Sequence, residues 1–185
     1  MRKLILSNNV TLDGRVGDAL DWSIPGDDED FVRRHIDLLT RSDGLILGRK
    51  SYEFFAAAWP SRSGEFADLM NGIAKHVASN TMEDPEWQNT QLIQGEIPEA
   101  VGKLKERPGK GLIVYASGEL TNTLMEDDLI DEYQLWVHPV VFGRGPRLFA
   151  DDLERMDLEL VDSTVIPAGV AILTYRSIGR RRRSR

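Results

Sequence analysis

Cysteine is absent from the 185 residues. Disulfide scaffolds, thiolate metal sites and cysteine nucleophiles are therefore excluded together, and the absence fits a reducing compartment. Long apolar runs are missing as well: none approaches the roughly 20 residues of a membrane span. The opening Met1-Arg2-Lys3-Leu4-Ile5-Leu6-Ser7 is basic and then apolar. Its apolar run is too short for a signal peptide and reads as a first strand. Histidine is scarce, with three in the chain. His35, His76 and His138 lack metal-ligand spacing, so no metal is expected. Positive charge is outweighed, at a formal net −7, which disfavours nucleic acid as the main partner. Residues 179–185, GRRRRSR, are the exception. They read as a solvated, disordered tail, with an RNA or anionic-lipid anchor as the alternative. Glycine and proline, at 16 and 8, are not enriched enough for a low-complexity chain. Together these features predict one cytoplasmic domain over residues 1–178.

The patterning predicts alternating strands and helices. Residues 2–8 read as a strand, and 9–28 as a long loop of the kind that usually carries function. Phe31, Val32, His35, Ile36 and Leu39 share one face of a helix over 28–40. Glycine-bounded or apolar runs at 44–48, 76–79, 90–93 and 111–115 read as strands. Helices are expected over 51–58 and 98–107, and after residue 118. A long strand over 133–142 and a hairpin over 158–166 and 170–175 close the chain. Early alternation followed by clustered strands predicts an α/β fold of three α/β/α layers. Its mostly parallel sheet of about eight strands would end in an antiparallel C-terminal edge.

Two places in this pattern suit a phosphate. Leu47-Gly48-Arg49-Lys50-Ser51 and Tyr115-Ala116-Ser117-Gly118-Glu119-Leu120 each run from a buried strand into a helix start. A helix N-terminus offers unpaired N–H groups and partial positive charge. Gly48 and Gly118 let a ligand approach the backbone, and Arg49 and Lys50 add charge that an acidic protein otherwise lacks. The alternative is that each glycine makes a turn and Arg49 is a surface cation. The Gly-x-Gly-x-x-Gly fingerprint after the first strand is missing, which excludes an ordinary dinucleotide-binding domain.

Five short motifs, in order, carry a resemblance: Thr11-Leu12-Asp13-Gly14, Asp21-Trp22-Ser23-Ile24-Pro25, Gly48-Arg49-Lys50-Ser51-Tyr52-Glu53, Ser117-Gly118-Glu119-Leu120, and Val137-His138-Pro139-Val140-Val141-Phe142-Gly143. The chain resembles the dihydrofolate reductase superfamily. It is most similar to the branch containing the reductase domain of bifunctional riboflavin-biosynthesis deaminase-reductases. The likeness runs from the first strand to Tyr175. The deaminase half is absent, since there is no H-x-E with P-C-x-x-C.

The resemblance implies NADPH as cofactor. Arg49 would meet its 2′-phosphate and Lys50 and Ser51 the pyrophosphate. Ser79, Asn80 and Thr81 would lie along the adenosine, and Ser117, Gly118, Glu119 and Leu120 along the pyrophosphate and nicotinamide. It also implies a small heterocyclic substrate, an aminouracil such as 5-amino-6-(5-phosphoribosylamino)uracil or a pteridine, with Trp22 against it. Reduction of a C=N bond needs an acid. Asp27 occupies the place folate reductases use, although an acidic cluster there is also an ordinary helix start. Asp13 is the second candidate, with a turn residue as its alternative. That branch commonly dimerises, and the apolar strand over 133–142 would supply the interface. A non-catalytic nucleotide-binding protein on the same fold is the competing reading. His138 is expected to be a core or interface residue.

Overall fold

The computed structural model describes residues 1–17, 19–23, 28–115 and 117–179. Strand β1 is Leu4–Thr11, followed by a single 3-10 turn at Ala19–Asp21 and helix α1, Glu29–Thr40. Strand β2, Ser42–Gly48, runs directly into α2, Arg49–Ala58. Next come α3, Glu65–Gly72, β3, Ala74–Ala78, β4, Thr90–Ile93, and α4, Ile97–Glu106. β5, Gly111–Val114, leads to α5, Glu119–Glu126, and the chain closes with β6, Glu132–His138, β7, Leu158–Val165, and β8, Ala171–Ser177.

The eight strands form one sheet in the order β4-β3-β2-β5-β1-β6-β8-β7. All neighbours are parallel up to β6, and β6-β8-β7 is antiparallel. Alternation along the strands builds a core on each face. Leu4, Leu6, Ile46, Leu112 and Val114 pack with Val101 and Leu104 of α4 and Leu124 and Met125 of α5. Ile5, Leu45, Leu47 and Ile113 pack on the other face with Leu38 and Leu39 of α1, Tyr52 of α2 and Met70 of α3. The three α/β/α layers and the antiparallel edge match the expectation from patterning.

Local chemistry sets several boundaries. Asp28 caps α1, its side chain accepting from the Phe31 N–H at 2.9 Å. Gly44 sits at a register shift beside β5, where a Cβ would meet Leu112 at 2.8 Å. β6 stops at His138 rather than at 142, because Pro139 brings no N–H to a ladder. Nor is β6 an edge strand: β1 and β8 flank it, and Trp136 is fully buried. Tyr133, Leu135 and Trp136 serve the monomer's own core, which takes them out of the interface expected over 133–142, whereas Val141, beyond the end of β6, is exposed. β1 starts two residues later and runs three further than expected. Helix α3 was not foreseen, since two turns with only Ala67 and Met70 buried leave little periodic signal.

Candidate active site

β2 and β5 are neighbours, and the helices that follow them leave on opposite faces of the sheet. Ligands of open α/β sheets gather at such a reversal, beyond the carboxyl ends of the strands. The two helix starts converge there: a Cβ on Gly48 would lie 3.8 Å from the Leu120 side chain. Gly48 caps α2 and Gly118 caps α5, neither with a side-chain hydrogen bond. No cap side chain therefore occupies the first-turn N–H groups of α2 or α5. Gly118 holds φ at +78°, with nothing among the described residues within 4 Å of its missing Cβ.

The predicted cofactor residues surround this point. Arg49 is half-exposed and reaches two ways, to Glu53 Oε1 at 2.7 Å and Thr81 Oγ1 at 2.8 Å. It thereby ties α2 to the turn after β3. Ser79 Oγ organises that turn by accepting from the N–H groups of Thr81 and Met82 at 3.3 and 3.1 Å. Asn80 Oδ1 accepts from the Gly95 N–H at 3.2 Å. Lys50 is exposed and Ser51 half-buried in the first turn of α2. Ser117 and Glu119 are exposed on either side of Gly118. The structure thus brings the Gly48, Ser79 and Gly118 segments to one end of the sheet.

The loop after β1 is fastened to the segment after β6. The Leu12 N–H donates to Val140 O at 2.9 Å, the Val16 N–H to Pro146 O at 2.9 Å, and the Leu148 N–H to Gly14 O at 3.0 Å. Asp13 completes the clasp. Its carboxylate accepts from the Phe142 N–H at 3.0 Å, the Gly143 N–H at 2.9 Å and the Thr11 hydroxyl at 2.7 Å. The Phe142 N–H above all, then Thr11 and Gly143, hold this carboxyl well below the usual carboxylate range. That stands against the expected role of Asp13 as a proton donor, because a group kept ionised has no proton to give.

Trp22 rests over the same end. Its ring meets His138 edge-on at 5.3 Å and Phe142 at 6.4 Å, and its Nε1–H donates to Gly17 O at 2.9 Å. Behind it, Phe31 and His35 of α1 pack on Trp136, with ring centroids 5.0 and 4.1 Å away. Burial pushes His138 down to about 4, and His35 likewise to about 4, so both are neutral at physiological pH. A polar ladder crosses β1 and β6 on this face. Trp136 Nε1–H donates to Ser7 Oγ at 3.1 Å, Ser7 Oγ–H to Gln134 Oε1 at 3.3 Å, and His138 Nε2 pairs with Asn9 Oδ1 at 2.9 Å. Sequence reading missed Ser7, Asn9 and Gln134. Their signal was present in β1, where Ser7, Asn9 and Thr11 put polar groups on one face of a central strand.

A family model for the RibD C-terminal domain matches residues 2–172. The chain belongs to the RibD C-terminal domain family. Among curated proteins it is 33% identical over 182 residues to YyaP, an uncharacterized protein of Bacillus subtilis (strain 168), covering 94% of each chain. Among solved structures it is similar to a provisionally named riboflavin biosynthesis protein of Shewanella sp. PV-4, with TM-score 0.75 and 23% identity over 95% of this chain and 98% of that one. It is also similar to dihydrofolate reductase from Enterococcus faecalis complexed with NADP(H), with TM-score 0.60 and 16% identity over 96% and 97%. These two structures establish a dihydrofolate reductase-like fold.

Membership of the RibD family points to a reductase role and gives the acidic cluster before α1 its interest. Asp28 is spent as the helix cap, and Asp30 pairs with Arg33. Asp27, Ile24, Pro25 and Ala116 lie outside the described residues, as does the arginine tail from 180 on. Among the described residues no helix is long and apolar enough to cross a membrane. Two open cavities, of about 310 and 240 Å³, lie at the opposite end of the sheet, around Lys3, Asp131 and Arg176 and around Arg2, Arg41 and Lys110. Neither is lined by residues of the Gly48 or Gly118 helix starts.

Proposed function

We propose that this protein is an NADPH-dependent reductase of a small heterocycle, an aminouracil or a pteridine. The observation that carries the reading is the meeting of two helix N-termini without side-chain caps, at Gly48 and Gly118, with Arg49 beside them. A pyrophosphate fits first-turn N–H groups that no cap side chain occupies. The 2′-phosphate fits Arg49, whose present partners are Glu53, in a half-exposed surface pair, and the Thr81 hydroxyl. Such a pair contributes about 0–1 kcal/mol, less than the ~1.5–3 kcal/mol of a charge-assisted bond to phosphate. Lys50 and Ser51 would flank the pyrophosphate with Ser117, Glu119 and Leu120, and Ser79, Asn80 and Thr81 would border the adenosine.

NADPH, when bound, would supply a hydride to a C=N bond, in the ring of a pteridine or in the opened imine of the ribosylamino side chain of an aminouracil. This chain's part is to orient the heterocycle, exclude water and deliver a proton to the nitrogen of that bond. Trp22 and Phe142, held down by the Asp13 clasp, cover the end where the ring would lie. Asp27 stands at the place that folate reductases use for the acid, and of the other candidates Asp28 and Asp30 have partners and Asp13 is kept ionised. The test is loss of NADPH absorbance with a panel of aminouracils and pterins. Turnover with at least one is expected. NADPH binding with no turnover across the panel would instead mark a nucleotide-binding protein.

We propose in addition that two copies pair. The support is the edge strand β7, which exposes Leu160, Val161 and Val165, more apolar surface than an edge facing water usually carries. Sedimentation at micromolar concentration should give twice the mass of the chain. A monomer mass would sink the idea.

A further inference from the structure

We infer that the amino ends of the central strands form a second anion site, one that takes a compact phosphate anion of the diphosphate class. The inference does not rest on the reductase reading, since this end of the sheet lies opposite the Gly48 and Gly118 helix starts. β2, β5, β1 and β6 are consecutive in the sheet, and residues that open or precede them line the cavity of about 240 Å³. Arg2 and Lys3 lead into β1, Arg41 into β2 and Lys110 into β5, so four cations from three separate segments meet there. Glu132, at the start of β6, is the one carboxylate among the described lining residues. It is paired with Lys3 at 3.2 Å. The volume is below the ~300–1,000 Å³ of sites for drug-sized molecules, which suits a compact ligand. The cations line a hollow rather than a face, and a chain of net charge −7 is repelled by an anionic membrane.

The positive charge there is only partly offset. Arg2, whose side chain is 8% exposed, pairs with Asp43 and donates from Nε to Lys110 O at 2.8 Å. Burial, and after it the charge of Arg107, lowers the Arg2 pKa. Burial first, then Arg2 and Arg107, lowers that of His76 on β3. Like charges therefore crowd this end of the sheet. Arg41 makes no side-chain hydrogen bond or ion pair among the described residues, and the Lys110 ammonium donates to a backbone carbonyl, Thr40 O, at 2.8 Å. Both keep a full charge for a ligand. A neutral group gives the same indication. Ser42 is 6% exposed, and its buried hydroxyl has no hydrogen-bond partner among the described residues. It lies beside Gly111, where a Cβ would come 3.4 Å from Ser42 Oγ. Gly111 lines the cavity, so a phosphate oxygen seated over it would give this hydroxyl an acceptor.

The test is calorimetric titration of the full chain, saturated with NADPH to occupy the other end, with inorganic pyrophosphate at constant ionic strength. Wild type should bind at one site with a Kd below about 1 mM, more weakly as sodium chloride is raised. Arg41→Ala combined with Lys110→Ala should weaken binding about tenfold or more, whereas Arg41→Lys combined with Lys110→Arg should keep most of it. Gly111→Ala changes no charge, and its Cβ would meet its neighbours at ordinary contact distances. By covering the seat beside Ser42 it should weaken pyrophosphate about threefold or more. Thermal unfolding of each variant shows that it is folded. ADP bound no more tightly than pyrophosphate marks free diphosphate as the ligand, and tighter ADP marks a nucleotide; either result supports the site. No saturable binding by wild type, or wild-type affinity in the double alanine variant or in Gly111→Ala, would each overturn the inference. If NADPH does not bind, the reductase reading fails while the variants still locate the pyrophosphate, so the two claims fall separately.

Discussion

Replacing Asp27 with Asn should lower turnover about 10²–10⁴-fold on an accepted substrate while NADPH affinity stays nearly constant. The amide keeps the shape of the acid and removes its proton. Asp13→Asn should behave differently. An amide retains one acceptor for the Phe142 and Gly143 N–H groups but loses the charge that makes those bonds strong. Hydrogen exchange at Phe142 and Gly143 should speed up and the Michaelis constant should rise. The pH dependence of the hydride step should not move, because the Asp13 carboxyl is already held well below the usual range. A pH profile that loses its acidic limb in Asp13→Asn, with Asp27→Asn unchanged, would reverse the two assignments. Full turnover in both variants would leave protonation to solvent.

Lys105→Met should cost about 3 kcal/mol of stability, read from urea unfolding. Lys105 is buried to 3% exposure on α4. Its Nζ donates to Leu129 O at 2.6 Å and to Asp131 Oδ2 at 2.7 Å, and the same Oδ2 accepts from the Leu4 N–H at 2.7 Å. One ammonium thus joins α4, the turn before β6 and the start of β1. Removing it leaves Leu129 O without this donor and breaks a largely buried pair. The figure sits at the low end of the range for such breaks because Asp131, 42% exposed, can regain water. A loss under about 0.5 kcal/mol, the scale of an ordinary surface substitution, would show that the contact contributes little.

How much of this was legible in the sequence depended on the range of the interaction. Gly48-Arg49 and Gly118-Glu119 could be read because a glycine between an apolar run and a helix start is a local signal. The cap at Asp28 and the β7-β8 hairpin are local in the same way. The Asp13 clasp was hidden because its partner Phe142 is 129 residues away. Within the sequence alone, Asp13-Gly14 looks like a turn or an acid and nothing more. Asn9 and His138 are also 129 residues apart, and neither signals the other. The apolar run of β6 was read as an interface because hydrophobicity does not tell a central strand from an edge strand. Only the strand order does that, and it puts β1 and β8 on either side.

On the proposed reading, the convergent helix starts bind a nicotinamide cofactor carrying the extra phosphate. Parallel titrations of the purified protein with NADPH and NADH, followed by tryptophan fluorescence, test it most directly. Arg49 is 52% exposed, so its contact with the 2′-phosphate should lie at the low end of the charge-assisted range. NADPH should then bind about tenfold more tightly than NADH, and Arg49→Ala should bring the two affinities together. Equal affinity of wild type for the two cofactors, or binding of neither, would contradict the account.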